Sequence, residues 1–598
     1  MRLAEISPDD VRRLTPPTVL LAALALVGVF APGSWTFVAI VAATSGLLAL
    51  SVGLLYSQVG MLSLCQFTFA YLGVWVMAWL NVHARMPFLI MAVVAGLAAV
   101  PAGILVGGLA VRLRGVYLAV TTVTFAVGMS TVLSQFQLPG LLDQIAIRRP
   151  VGFQSDRAYF LLCLGVLIVV GLAVGGYEHT RGGRACRAIK YSERATAAAG
   201  FSVAGGRLRS FCTSAFIAGL AGALLAGQLE GSVSPSSFAP TFSMAVLATA
   251  VMVGVESLSG AVFAGILMAV VPEALSRFGL SPAWAQVMFG VGAVQALSGG
   301  SGGIAARFPW RRSRPSTEPD PAPPTAPVFP PTGRRTASSK ALDIRDLTVR
   351  YGNVLALDQV NLVVPHGEVV GVIGPNGAGK STLIDAVCGF TPPSGGSILL
   401  DGRPIEGLRA AARARAGLRR TFQQGRAIPD MTVGGFVAFP RRAPLTPAEL
   451  DAVLGYFDLP PADQPIALVD AGTRRALEVA ATVAAQPTVA FLDEPLAGLG
   501  ADRSVELARR IKGIPDEFGC SVLLVEHDLD QIAASCSALP VLDFGQVIAA
   551  GAPDDVLRDP LVVAAYIGDA EALHEAEARH RTAEEGASDD RSRQEQTI

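Results

Sequence analysis

Histidine and cysteine are sparse in this chain, six and seven among 598 residues, and none stand at CxxC or HxxxH spacing. That excludes a zinc-type cluster or a disulfide framework as the organising feature, and leaves the thiols as ordinary buried cysteines. Charge is scarce from about Thr18 to Leu297, where apolar runs dominate. From about Lys340 onward Asp, Glu and Arg return at the density of a soluble domain. The net charge of -1 therefore averages two unlike halves, and nothing in it points to a nucleic-acid partner. The opening MRLAEISPDDVRRL has no short apolar core followed by a small-residue cleavage site, so no removable signal peptide is read. A length of 598 residues, finally, exceeds one typical domain and argues for at least two folding units.

Crossing a bilayer takes about 20 apolar residues in a helix. Stretches of that order recur at 18–31, 36–56, 65–82, 87–110, 116–136, 158–177, 210–230, 243–255, 259–275 and 283–298. Helices buried in a large soluble core would show polar faces at helical period between these runs, and none is visible. Residues 1–307 are thus expected to form an α-helical polytopic membrane domain of about ten spans, or eight if two short pieces are re-entrant. Basic residues orient it, because positively charged loops stay in the cytoplasm. Arg12 and Arg13, Arg112 and Arg114, the run Arg181–Arg209, and Arg307, Arg311, Arg312 and Arg314 share one side only if an even number of crossings separates them. Glycine-rich interruptions at Ser257–Gly265 and around Gly219 and Gly222 suit close helix packing first and a transport path second.

One loop stands apart. Arg181–Val203 joins Arg184, Arg187, Lys190, Glu193 and Arg194 to an alanine-rich stretch closed by Gly200, the pattern of one short amphipathic helix. A basic helix resting on anionic lipid would look the same. The loop resembles the coupling segment by which importer permeases touch their ATPase. Ser51–Gly73 and Arg112–Gly128 resemble the permeases of high-affinity branched-chain amino acid transporters, and that likeness runs through most of residues 15–300.

Residues 308–340 are rich in Pro, Ser, Thr and Arg and poor in aliphatics, so they read as an extended tether; residues 569–598 read as a polar disordered tail. Between them, 341–568 is expected to be an α/β P-loop NTPase. Glu368–Phe390 holds an apolar strand, then Gly374, Gly379, Lys380 and Ser381 at GxxxxGK[ST] spacing, then a helical run. Backbone amides from Gly374, Pro375, Asn376, Gly377, Ala378 and Gly379 through Ser381 and Thr382 can cradle phosphates, apart from the proline, which has none to give. Lys380 can neutralise the β and γ oxygens, and the Ser381 hydroxyl can ligate Mg2+. Thr488–Leu499 is a second apolar strand, ending in Asp493 for the metal and Glu494 to polarise the attacking water.

The remaining elements resemble an ABC ATPase, most closely the ATP-binding subunits of branched-chain amino acid importers. That resemblance implies that Tyr351 stacks on adenine, that Gln423 senses the γ-phosphate, reaches the metal and contacts the permease, and that His527 is the switch histidine. It also locates the signature at Val469–Thr473, where Asp470, Gly472 and Thr473 would face nucleotide on an opposite subunit. Here the sequence departs from the family: Asp470 replaces a serine and brings a carboxylate towards an anion, and Gly500 replaces an acidic or amide residue after the second strand. The expected function is ATP-driven import of branched-chain or related amino acids across the bacterial cytoplasmic membrane, with the ATPase in the cytoplasm. Such importers also need a second permease, a second ATPase and an extracytoplasmic solute-binding protein. An importer of amides, urea or another small polar solute, and a non-transporting ATP-dependent sensor, remain open. An exporter half-transporter fits poorly with short, glycine-interrupted and numerous spans.

Overall fold

The computed structural model describes residues 8–84, 86–113, 115–136, 139, 147–228, 240–255, 258–298, 329, 340–422, 428, 431–441 and 443–567. Nearly all of the 308–340 tether and the whole 569–598 tail lie outside them. Backbone proximity divides the chain into two compact units. The first holds the described residues up to Glu193 and from Val203 to Ser298; the second holds Arg194–Ser202 and everything described from Phe329 onward.

Among the described residues, the regular structure of the first unit is helical. It comprises α1 (Pro8–Phe30), α2 (Gly33–Leu54), α3 (Gln66–His83), α4 (Phe88–Ala110), α5 (Val116–Ser134), α6 (Asp156–His179), α7 (Arg181–Tyr191), the start of α8 (Glu193–Ala198), α9 (Val203–Ala226), α10 (Pro240–Val253), α11 (Leu258–Arg277) and α12 (Trp284–Ser298). Each of the ten apolar stretches corresponds to one of these helices. Six are long and apolar enough to cross a bilayer: α2 with its π-helical extension Leu55–Val59, α4, α5, α6, α9 and α11. The others are shorter or, like α3, carry polar ends at Gln66, Asn81 and His83.

Helix α2 is the axis of this unit, buried from Val38 to Leu54 except for Val41. Apolar side chains elsewhere face outward, among them Leu97, Ile104 and Leu105 on α4 and Val287, Val291 and Val294 on α12. Outward apolar faces beside a dry core are the surface a lipid environment asks for. Small residues bring the backbones together. A Cβ at Gly222 of α9 would overlap the Ala70 carbonyl of α3, so this crossing requires glycine and favours the packing role of these residues. Where α2 ends in its π turn, the Gln66 amide donates to the Ser214 hydroxyl (2.8 Å), which donates to the Ser51 carbonyl (2.8 Å). Polar groups freed by a helix break are thus satisfied internally.

The 181–200 stretch is two helices rather than the single one expected. The Thr180 hydroxyl caps α7, and the chain leaves helical geometry at Ser192 (φ -156°, ψ 111°) before α8 begins. Serine competes with the helical ladder through local hydrogen bonds, and the break frees Glu193 to pair with the buried Arg207 of α9.

The second unit contains β1 (Lys340–Tyr351), β2 (Val354–Pro365), β3 (Val369–Val372), α13 (Lys380–Val387), β4 (Gly395–Leu400), β5 (Arg403–Pro404), α14 (Ala410–Ala416), β6 (Leu418–Arg420), α15 (Val433–Ala438), α16 (Pro447–Tyr456), α17 (Ala471–Ala484), β7 (Val489–Asp493), α18 (Ala501–Phe518), β8 (Ser521–Val525), α19 (Leu529–Ser535), β9 (Val541–Asp543), β10 (Gln546–Ala549), α20 (Pro553–Val556) and α21 (Pro560–Ile567). Strands β3, β8, β7 and β6 form a parallel sheet in that order, and β2, β1, β4 and β5 form an antiparallel one. Three of the parallel strands, β3, β8 and β7, are apolar runs, VVGV, SVLLV and VAFLD, buried throughout as strands covered on both faces must be. Also in this unit, the guanidinium of Arg419 donates to the Ala198 carbonyl (3.0 Å) and that of Arg415 to the Gly200 carbonyl (2.9 Å), while Phe201 stacks on Phe439 at 4.8 Å.

Arg413 of α14 is 1% exposed and ties the phosphate-loop helix into the domain. It donates to the carbonyls of Ala386 and Val387 at the end of α13 (2.8 and 2.7 Å) and to those of Leu408 and Glu406 (2.8 and 2.7 Å). A cation there answers the negative helix terminus. Arg413→Met removes this side-chain donor from all four carbonyls, although the Gly389 amide still reaches Ala386 (3.2 Å), and is expected to cost about 3 kcal/mol. The check is a lower thermal-unfolding midpoint for the second unit in the purified full chain.

Candidate nucleotide site

The topology decides where chemistry can occur. Because β8 lies between β3 and β7, the residues leaving the carboxyl ends of these strands emerge side by side, where open α/β sheets bind ligands. Strand β3 releases the loop Ile373–Gly379, β7 ends at Asp493, and β8 leads into Glu526 and His527. Gly379 is the N-cap of α13 at φ 104°, a conformation open to glycine, and it aims the first amides of the helix into the loop.

Within the loop, Ala378 is buried and Pro375 partly covered, whereas Asn376, Gly377 and Ser381 are exposed and Thr382 half-buried. The Lys380 ammonium donates to the carbonyls of Gly374 (2.5 Å) and Pro375 (2.9 Å), held over its own loop. Burial lowers its pKa and the nearby Glu494 carboxylate opposes that shift. Asp493 is 9% exposed, and burial raises its pKa against the pull of Arg420. Glu494 sits at φ 48°, a strained value for a residue with a side chain, while its amide continues the strand pairing to the Val525 carbonyl (2.9 Å). Its carboxylate meets His527 Nε2 at 2.6 Å. A hydroxyl at Ser381 and a carboxylate at Asp493 are hard oxygen donors that suit Mg2+, so the residues present fit that ion.

The structure thus brings Lys380, Asp493, Glu494 and His527 to one edge of the sheet. Tyr351 stands apart at the end of β1, its ring half exposed and its hydroxyl 3.2 Å from the Thr391 hydroxyl. Gln423 lies outside the described residues. Asp470, Gly472 and Thr473 open α17, where the Asp470 carboxylate accepts from the amides of Gly472 (3.0 Å) and Thr473 (3.1 Å) and from the Thr473 hydroxyl (2.6 Å), and pairs with Arg503 (2.9 Å). Gly500 is the N-cap of α18.

Three further residues border the site. The Gly374 amide donates to the Tyr566 hydroxyl of α21 (2.8 Å), the Arg420 guanidinium reaches Asp493 (3.1 Å), and the Leu496 amide donates to the buried Glu526 carboxyl (2.7 Å). Only Glu526, adjacent to His527, had a position in the sequence that could have drawn attention. Burial pushes the Glu526 carboxyl up to about 7. A carboxyl with a raised folded pKa contributes stability that is fully present below the unfolded value of 4.5 and is lost as pH rises through about 7. Glu526→Gln is expected to remove a penalty of about 3 kcal/mol at about pH 8, so thermal-unfolding midpoints measured across that range should flatten and cross those of the parent on the alkaline side.

A triphosphate cradle joined to a helical membrane unit is the layout of an ABC transporter that carries its own motor. Residues 34–296 match the family described as branched-chain amino acid transport system / permease component, residues 357–497 match ABC transporter, and residues 546–572 match branched-chain amino acid ATP-binding cassette transporter. The chain belongs to the branched-chain amino acid ABC transporter family and fuses a permease component to an ATP-binding component. It is 32% identical over 254 residues to the high-affinity branched-chain amino acid transport ATP-binding protein LivG of Escherichia coli, covering 39% of this chain and 100% of LivG. It is 32% identical over 257 residues to BraF of Pseudomonas aeruginosa, a protein of the same description, again covering 39% of this chain and 100% of the relative. Among solved structures, the ADP conformation of an ATP-binding cassette of an ABC transporter matches at 26% identity and a TM-score of 0.36, over 39% of this chain and 100% of that one. ATP hydrolysis coupled to transport is the activity of this chain.

Proposed function

We propose that the chain imports branched-chain or related amino acids across the bacterial cytoplasmic membrane, its ATPase unit on the cytoplasmic side. The observation that carries this reading is the presence of branched-chain features at both ends of one polypeptide, a permease match at 34–296 and a C-terminal cassette match at 546–572. Lys380 and the loop amides hold the ATP phosphates, Tyr351 offers its ring to adenine, and Ser381 and Asp493, with Gln423, hold Mg2+. That ion, when bound, neutralises phosphate charge. Glu494 accepts a proton from the attacking water and His527 holds Glu494 in place; their 2.6 Å contact supports the pairing. A second permease, a second ATPase and an extracytoplasmic solute-binding protein complete the transporter. The Arg194–Ser202 segment acts as the coupling contact, a role supported by its hydrogen bonds to Arg415 and Arg419.

Uptake of radiolabelled leucine into cells lacking their own leucine importers tests the reading. Expression of this chain with its candidate partners should restore uptake that isoleucine and valine compete for. Displacement of label by urea or short amides but not by isoleucine would overturn the amino-acid assignment, and nucleotide turnover without any uptake would support a sensor instead.

A further inference from the structure

Behind Asp493 runs an alternating series of charges in the second unit. Arg420 closes β6, which pairs in parallel with β7 and so lies beside the strand that ends at Asp493. One arm of its guanidinium reaches Asp493 (3.1 Å) and the other reaches Asp385 of the phosphate-loop helix (2.6 Å). The remaining oxygen of Asp385 pairs with Arg194 (3.2 Å). The Arg420 side chain is 6% exposed, and its plane is fixed by Phe422 (4.4 Å) and Phe390 (5.5 Å). Arg194 approaches Phe390 as well (5.6 Å) and is the exposed end of the series.

We propose that Arg420 is a positioning residue for Asp493, and that Arg194 in the coupling segment sets, through Asp385, how firmly Arg420 holds that carboxylate. The inference rests on the reading of Asp493 as a metal ligand. Arg420 has one guanidinium and two carboxylates to serve. With Arg194 on Asp385, part of the Asp385 charge is already compensated, so Arg420 gives more of its own to Asp493 and the carboxylate is less available to a cation. When Arg194 leaves, Asp385 draws Arg420 more strongly and Asp493 is released. Occupancy of the coupling segment is thereby read at the metal ligand as electrostatics, with no movement of the phosphate loop required.

Mn2+ binding, followed by electron paramagnetic resonance in the full chain carrying Glu494→Gln with ATP present, gives a readout independent of turnover. Arg194→Ala should lower the Mn2+ half-saturation concentration about two- to fivefold, the range of a partly exposed ion pair, and Arg194→Lys should restore the parent value. Asp385→Asn should raise it by a similar factor, because Arg420 then serves Asp493 alone. In the Asp385→Asn background Arg194→Ala should have no further effect. An unchanged half-saturation in Arg194→Ala, or a shift that persists without Asp385, overturns the inference. Asp493→Asn separates the two readings: nucleotide-dependent Mn2+ binding that survives this substitution would reject the metal-ligand assignment itself.

Discussion

Glu494→Gln is expected to bind ATP as the parent does and to lose at least about a hundredfold in turnover, the usual contribution of a positioned general base. The geometry gives the reason. Asp493 completes β7, and the positive φ at Glu494 turns the next side chain off the strand line, where His527 meets it at 2.6 Å. A glutamine fits the same space and can still hydrogen-bond to His527, yet its amide cannot take a proton from water. Lys380→Ala should behave differently, weakening nucleotide binding itself, because the ammonium held over the loop carbonyls of Gly374 and Pro375 is the cation proposed to meet the phosphates. Paired measurements on the reconstituted complex, nucleotide affinity and phosphate release, distinguish the two. Parental phosphate release by Glu494→Gln would remove Glu494 from the reaction.

The candidate nucleotide site was legible in sequence because its chemistry is local. A phosphate loop is a strand, a glycine turn and a helix in succession, and Asp493 and Glu494 are neighbours at the end of one apolar run. The helical character of the ten apolar stretches was legible for the same reason, since an apolar helix declares itself within about 20 residues, and six of the described helices are long and apolar enough to cross a bilayer. Residues that act across the fold were not. Arg420 contacts Asp493 only because β6 and β7 are paired, and Tyr566 reaches Gly374 from almost the end of the described chain. The basic loop shows an intermediate case: its helical character and closing glycine could be read from residue types, but the break at Ser192 comes with a pairing of Glu193 and Arg207 in α9 that residue types alone do not show. Asp470 shows another. Its charge was evident in sequence, but where its carboxylate points was not.

That direction changes the expected behaviour of the signature. The Asp470 carboxylate is the N-cap of its own helix, and its hydrogen bond with Thr473 is the largest of the effects that hold its pKa at about 2, so it is ionised throughout the physiological range. The amides of Gly472 and Thr473, which a γ-phosphate from an opposing subunit would use, are already taken. A phosphate must therefore displace a carboxylate, or approach it. Two unit charges at about 4 Å repel by about 4 kcal/mol at an effective dielectric near 20, and a solvent-exposed partner such as Arg503 offsets only about 1 kcal/mol of that. A pair of these chains meets the obstacle at both sites. A pair formed with a separate ATPase whose signature keeps the serine meets it at one, leaving Lys380 and Glu494 of this chain opposite an intact signature. Hydrolysis by the chain alone should accordingly be weak, and addition of the partner ATPase and permease should raise it about tenfold or more. Asp470→Ser should raise hydrolysis by the chain alone by a comparable factor, since serine retains the helix cap while removing the charge, whereas Asp470→Ala should also cost about 1 kcal/mol of stability. Robust hydrolysis by the unmodified chain alone, unaltered by Asp470→Ser, would show that closure tolerates the carboxylate and would reject the asymmetric pair.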